Sequence, residues 1–168
     1  MLPIIFDPAN SVVGLVGEGE GFARRRQMLG DAGICPIVLD AGAGEGAIAA
    51  VRLLFVAGLE NGRAARLARL ARHLGVLVNV EDVPALCDFH VPASVRRGNL
   101  LLTISTGGRV PGLSRTLREW LETRFGPEWQ TYLDDLSVAR EGWRAEGLPP
   151  PVVSQKTRER VSEKGWLE

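Results

Sequence analysis

Two groups of residues in this 168-residue sequence have the types and spacing to do chemistry. In the first, the apolar run Val76–Val80 is followed by EDVPALCDFHVP, which puts Asp82, Asp88 and His90 just beyond a strand candidate. Open α/β sheets collect ligands beyond the carboxyl ends of their strands, so a carboxylate there can serve as a general base and an imidazole can transfer a proton near neutrality. An acid at a strand end also serves as a turn or cap residue, and a lone histidine as a structural one; both readings stay open. In the second group, Val12–Val16 runs into Gly17-Glu18-Gly19-Glu20-Gly21-Phe22, with Asp40 about twenty residues further on. The first two glycines of a GxGxxG pattern, after a strand and before a helix, point to a phosphate cradle made by Gly17, Gly19, Glu20 and Gly21. The Asp40 carboxylate would then accept the ribose hydroxyls of NAD and repel the 2′-phosphate of NADP. Phe22 stands where a third glycine or alanine allows close helix packing; a tight turn and an ordinary strand-end aspartate are the alternative.

Positioning these groups takes a parallel sheet. Val12–Val16, Ile34–Leu39, Leu53–Ala57, Val76–Val80 and Leu100–Ser105 are short apolar runs. Phe22, Ala23, Met28 and Leu29 have helical spacing between the first two, and Gly30 and Gly33 close that helix. The glycine-rich crossover over residues 40–52 barely reaches the dozen residues that a parallel connection needs, so any helix in it is very short. From Asn61 to Leu74, Ala64, Leu67, Leu70, Ala71 and Leu74 share one face and Arg63, Arg66, Arg69 and Arg72 occupy the rest. The alternation of strands and helices through about residue 105 predicts the α/β class with a Rossmann-like parallel sheet. Gly107 and Gly108 then turn the chain into a mostly helical region. Leu113, Leu117, Trp120 and Leu121, and later Trp129, Tyr132, Leu133, Leu136 and Trp143, form helical stripes that suit packing, a subunit interface or a ligand surface. Leu148–Pro151 reads as a linker of polyproline character, and the charged tail as a peripheral helix or a disordered end.

Composition narrows the class. With 45% hydrophobic and 24% charged residues the chain can bury a substantial core, which excludes collagen-like and disordered classes. Twenty basic residues balance twenty acidic ones, which removes the usual electrostatic footprint of a nucleic-acid binder but is compatible with an anionic small molecule. No apolar run approaches the roughly 18 residues of a membrane span, and MLPIIFDPAN lacks a basic signal-peptide start, so a soluble cytoplasmic protein is expected. Cys35 and Cys87 are too few for a disulfide framework and read as small buried side chains.

The order of residues around the first group carries a resemblance. Asn79, Val80, Asp82, Pro84, Cys87, Asp88, Phe89, Pro92, Ala93, Arg96, Arg97 and Gly98 match the pattern N-V-x-D-x-P-x-x-C-D-F-x-x-P-A-x-x-R-R-G. Ser105, Thr106, Gly107, Gly108, Pro111, Leu113, Ser114, Arg115, Leu117, Arg118 and Glu119 match the next block, S-[ST]-G-G-x-x-P-x-L-[AS]-R-x-L-R-E. Together with the opening LPIIFD and the glycine loop, these motifs make the chain similar to the dehydrogenase/ferrochelatase module of siroheme synthases, the precorrin-2 dehydrogenase family. The similarity runs over roughly residues 2–143 and is strongest over 76–121. Where that family has A-A-T-D-D after its third strand, with a threonine that helps to hold the cofactor, this chain has Ala57-Gly58-Leu59-Glu60-Asn61.

The resemblance implies an NAD-binding Rossmann-like domain over residues 1–105, a helical dimerisation and C-terminal domain over 106–147, and a linker with a charged tail over 148–168. It makes Asp82 the catalytic carboxylate, and His90, where the family usually has an apolar residue, a second candidate for proton transfer or transient iron binding. For a substrate bearing eight carboxylates it offers Arg96, Arg97, Arg109, Arg115 and Arg118, the hydroxyls of Ser105 and Thr106, and the backbone at Gly107 and Gly108. By themselves these arginines read as solvated surface charge and the hydroxyls as helix caps. The activity implied is that of a stand-alone, homodimeric, NAD-dependent precorrin-2 dehydrogenase of siroheme biosynthesis, with ferrous iron as a further substrate if sirohydrochlorin ferrochelatase activity is present. No resident metal and no nucleic-acid or membrane partner is expected. The rivals are a ferrochelatase-like protein with weakened NAD use and a non-catalytic tetrapyrrole-binding protein.

Overall fold

The computed structural model describes residues 1–167, which fall into two compact units that divide between Val91 and Pro92. In the first unit, β1 (Val13–Gly17), β2 (Ile37–Leu39), β3 (Leu53–Ala57) and β4 (Leu77–Val80) form a parallel sheet in the order β2-β1-β3-β4. The chain leaves β1 to one side and returns on the other, so the strand order reverses between β1 and β3. That reversal opens a crevice at the carboxyl ends of these two strands, where doubly wound sheets bind ligands.

The sheet is covered on both faces, which is why its strands are nearly continuous apolar runs. On one face Val13, Leu15, Leu53 and Phe55 pack with Leu29 of α1 (Gly19–Asp31). On the other, Val16, Leu54, Val56, Val78 and Val80 meet Ile48 of α2 (Glu45–Ala49) and Ala64, Leu67, Ala68 and Ala71 of α3 (Asn61–His73). The five-residue α2 is the very short helix that the crossover length demanded. Cys35 is a correction: it is exposed, because it lies ahead of the edge strand β2 rather than under the sheet.

The second unit departs from the expected organisation. Leu100–Ser105 does not extend the parallel sheet; as β6 (Leu100–Ile104) it pairs antiparallel with β5 (Ala93–Arg97). Arg97 faces Leu100, which leaves a two-residue loop, Gly98-Asn99, with Gly98 at φ 57°. A loop of that length can only fold the strand back on itself, since a parallel pairing needs a long crossover. The division therefore falls ahead of β5 instead of at residue 105. The helices α4 (Pro111–Arg124), α5 (Glu128–Ala145) and α6 (Pro150–Glu163) complete the unit. Pro150 and Pro151, expected in a linker, occupy the first turn of α6, where proline lacks only an N–H that the helix does not use. The aromatic stripe of α5 is packing: Trp129 lies between Phe125 and Tyr132, and Tyr132 stacks on Trp166 with ring centroids 4.4 Å apart. Arg160 of α6 binds both carboxylate oxygens of Asp135 on α5 at 2.7 and 2.8 Å, and this pairing holds the Asp135 carboxyl below the usual aspartate range.

Candidate functional site

The loop after β4 zips onto the free edge of that strand, with side chains doing the work of a missing neighbour. Asp88 donates its N–H to Val78 O at 2.8 Å and accepts the Val78 N–H through Oδ2 at 3.0 Å, while its Oδ1 binds Arg72 Nε of α3 at 2.7 Å. The Val80 N–H points to Cys87 Sγ at 3.3 Å, and Asn79 Nδ2 donates to Phe89 O at 2.9 Å. Phe89 meets the Phe55 ring edge-on at 5.3 Å. Most of the N-V-x-D-x-P-x-x-C-D-F pattern is thus a device for fastening the loop, and Asp88, grouped with Asp82 and His90 on spacing alone, belongs to the fastening.

Fastening leaves Asp82 at the exposed tip. Val83 N–H closes a tight turn on Val80 O at 3.3 Å, and Asp82, third in that turn, has φ 60°. It is the only non-glycine residue among those described with a positive φ. L-residues rarely adopt this conformation, and such outliers gather at functional sites. The Asp82 carboxylate makes no hydrogen bond or ion pair among the described residues. It lines a cleft of about 200 Å³ together with His90, Asn79, Glu81, Cys87 and Arg25, so the two expected catalytic side chains share one site. A larger concavity of about 410 Å³ at the end of α6 contains none of the expected residues.

Arg25 and Glu81 were not among the residues expected at the site. Arg25 reaches the cleft from α1, its guanidinium 5.4 Å from the Phe55 ring centroid, with only 14% of its side chain exposed. Burial lowers its pKa, against the attraction of Glu81, Cys87 and Asp82. The signal was present in the sequence: Phe22 and Leu29 of α1 both pack on the sheet, and Arg25 lies three residues after Phe22, a charge within an apolar helix face. Asn79 is 6% exposed, and its Oδ1 has no hydrogen-bond partner among the described residues.

The glycine loop lies across the β1/β3 crevice. A Cβ on Gly17 would collide with Ala57 O, and one on Gly58, at φ 68°, with Glu18 O, so both positions need glycine for the strand ends to approach this closely. Gly21 packs on Gly58 and Glu81 and supplies the close helix contact expected of the position that Phe22 fills. Phe22 instead turns into the core beside Val13, Leu15 and Phe55. Nothing stands within 4 Å of where a Cβ would be on Gly19, and no side chain caps the first turn of α1. Glu20 extends into solvent, 3.7 Å from Arg24, and contributes only backbone to this turn. Asp40 is exposed after β2, with Oδ1 accepting the Gly42 N–H at 2.6 Å and Oδ2 free. Uncapped helix N–H groups above bare glycine, with a free carboxylate oxygen beyond the neighbouring strand, fit the pyrophosphate and ribose of a dinucleotide.

In the second unit Thr106 Oγ1 accepts the Val110 N–H at 3.3 Å and lies 3.1 Å from Ser114 Oγ, while Ser105 Oγ accepts the Gly107 N–H at 3.2 Å. These hydroxyls build the entry to α4, in which Gly107 and Gly108 have φ 66° and 75°. Arg115 pairs with Glu119 at 2.9 Å, Arg118 with Glu122, and Arg97 donates to the carbonyls of Phe125 and Glu122. Arg96 and Arg109 have no side-chain partner among the described residues. No cluster of three or more His, Cys, Asp or Glu side chains suited to a metal occurs among the described residues, and none of their helices is long and apolar enough to cross a membrane.

Residues 4–93, more than half of the chain, match the NAD_binding_7 family, described as putative NAD(P)-binding, and the chain belongs to that family. Siroheme synthases are among the relatives that share its sequence. That of Methylococcus capsulatus is 32% identical over 183 residues, covering 96% of this chain, and that of Pseudomonas putida strain F1 is 35% identical over 149 residues, covering 74%. This chain spans 38% and 32% of the lengths of those two relatives. Among solved structures, one described as SirC, precorrin-2 dehydrogenase superposes with a TM-score of 0.74 over all of this chain and 93% of that one, at 19% identity, a likeness of fold.

Proposed function

We propose that this chain is a precorrin-2 dehydrogenase of siroheme biosynthesis that works in the cytoplasm as a homodimer. The observation that carries the reading is the unpartnered Asp82 carboxylate, held out by a left-handed turn into the cleft beyond β4 in a chain whose β1–α1 loop fits a dinucleotide. Oxidation of precorrin-2 to sirohydrochlorin removes a hydride and a proton. NAD supplies the hydride acceptor when bound, held by the N–H groups at Gly19, Glu20 and Gly21, the close turn at Gly17, and Asp40. Asp82 takes the proton, and the exposed imidazole of His90 in the same cleft passes it to water. The same carboxylate suits removal of pyrrole N–H protons when ferrous iron is the substrate. Arg109, Arg96 and the backbone of the Gly107–Gly108 turn are left to receive substrate carboxylates. The hydroxyls of Ser105 and Thr106 hold that turn in shape, and Arg115, 78% exposed beside Glu119, is a weaker candidate for contact. For the homodimer, Leu113, Leu117 and Trp120 form an exposed apolar stripe on α4, with Trp120 57% exposed.

The deciding experiment measures sirohydrochlorin formation from precorrin-2 and NAD by absorbance, with wild type against Asp82→Asn. NAD-dependent conversion by wild type and a loss of roughly 100-fold or more in the variant are expected. Equal rates in the two proteins, or no NAD binding at millimolar concentration, would reject the reading. A monomeric mass at micromolar concentration would reject the dimer.

A further inference from the structure

Arg25 is a buried cation whose only carboxylate neighbour among the described residues, Glu81, lies beyond hydrogen-bond reach. Five N–H donors are available on a guanidinium, yet the only acceptor within hydrogen-bond reach among the described residues is the thioether of Met28 at 3.5 Å. Its nearest carboxylate oxygen, Glu81 Oε1, is 4.0 Å away and is shared with Arg24 at 3.7 Å. The other oxygen of Glu81 lies where a Cβ on Gly21 would stand, so the carboxylate sits close to the start of α1. Buried charges are ordinarily paired and hydrogen-bonded, and a guanidinium presents a planar fork that matches a carboxylate. The arginines that the sequence offered for this duty in the second unit are largely engaged: Arg97 on carbonyls, Arg115 and Arg118 on their own helix. Arg25 instead stands on the wall of the cleft that contains Asp82 and His90, with the Phe55 ring beneath it fixing its height.

We propose that Arg25 is the anion receptor of this cleft and holds one carboxylate of the substrate beside Asp82, making it a specificity-determining residue. The inference rests on the tetrapyrrole reading above, because it takes the ligand to be polycarboxylate. A substrate side-chain carboxylate on Arg25 supplies the hydrogen-bonded acceptor that Glu81, at 4.0 Å, does not, and it fixes the edge of the substrate that faces the Asp82 carboxylate.

The test titrates sirohydrochlorin and, separately, NAD into wild type, Arg25→Gln and Arg25→Lys, with circular dichroism establishing that each variant is folded. Arg25→Gln should weaken sirohydrochlorin binding by roughly ten- to a hundredfold, the size of a hydrogen bond to a charged group, and leave NAD affinity within about twofold. Arg25→Lys, which keeps the charge and packs more simply, should recover part of the loss and keeps the test decisive if the glutamine variant does not fold. Wild-type affinity for sirohydrochlorin in either folded variant overturns the role of Arg25 and leaves the dehydrogenase reading standing. An equal loss of NAD affinity also overturns it, by making Arg25 a cofactor residue. If wild type itself does not bind sirohydrochlorin, the functional reading and this inference fall together.

Discussion

Replacing Asp82 separates its chemistry from its backbone. The side chain makes no hydrogen bond or ion pair among the described residues, so truncation removes no visible contact; what remains is φ 60°. In right-handed or extended backbone, alanine is the more stable choice over glycine by roughly 0.5–1 kcal/mol. At this position the order should invert. A Cβ in left-handed backbone costs roughly 1–2 kcal/mol, so Asp82→Gly should be more stable than Asp82→Ala by about 1 kcal/mol, after allowing for the greater freedom of glycine in the unfolded chain. For a chain of this length that is a difference of about 2–4 °C in Tm. All four tryptophans, at positions 120, 129, 143 and 166, lie in the second unit, so far-UV circular dichroism and calorimetry suit the measurement better than fluorescence. Both variants should lose roughly 100- to 10,000-fold in precorrin-2 oxidation, the range for removing a general base. An alanine variant as stable as the glycine one would refute the left-handed turn, and retained turnover in either would refute the role of the carboxylate.

Other consequences test the surroundings. Asp88→Ala removes the Arg72 pair and the acceptor for the Val78 N–H, and should lower the unfolding free energy by roughly 1–3 kcal/mol in urea titrations, with Asp88→Asn losing less because it keeps an acceptor. Phe22→Ala should destabilise by about 2–3 kcal/mol through the cavity it leaves, with NAD affinity by calorimetry within twofold of wild type; tighter binding would mean that the ring obstructs the phosphate site after all. The Asp135 carboxyl titrates below its unfolded value, so its contribution to docking α6 on α5 is complete above the ordinary range near pH 4 and is lost as pH falls through the lowered value. Carboxyl NMR titration should find that depressed pKa, and Asp135→Asn should flatten the acid dependence of the fluorescence of Trp166, which stacks on Tyr132.

Much of the first unit was legible because its determinants are local. The strand runs, the α3 face, the brevity of α2 and the glycine loop are all set by periodicity and connection length. The β5–β6 hairpin was legible too, in Gly98-Asn99 between two extended runs, but the preceding alternation favoured one more parallel strand. Pro150 and Pro151 read as a linker because proline marks both a chain break and a helix start, and only the helical stretch down to Glu163 distinguishes the two.

The residue types, their order and their spacing by themselves determined that an aspartate would stand beyond the fourth strand and that a dinucleotide loop would open the first helix, since both depend on short stretches of backbone. Tertiary structure alone decided which of the neighbouring polar groups are consumed as fastenings and which stay open. Asp88 and Cys87 are engaged because β4 is an edge strand whose free backbone they must satisfy, and the Asn79 amide N–H is taken by the loop carbonyl of Phe89. Asp82 is open because the turn carries it past that edge, and Arg25 is a candidate because α1 crosses Phe55 and brings a cation to a wall that no local pattern connects with residue 82.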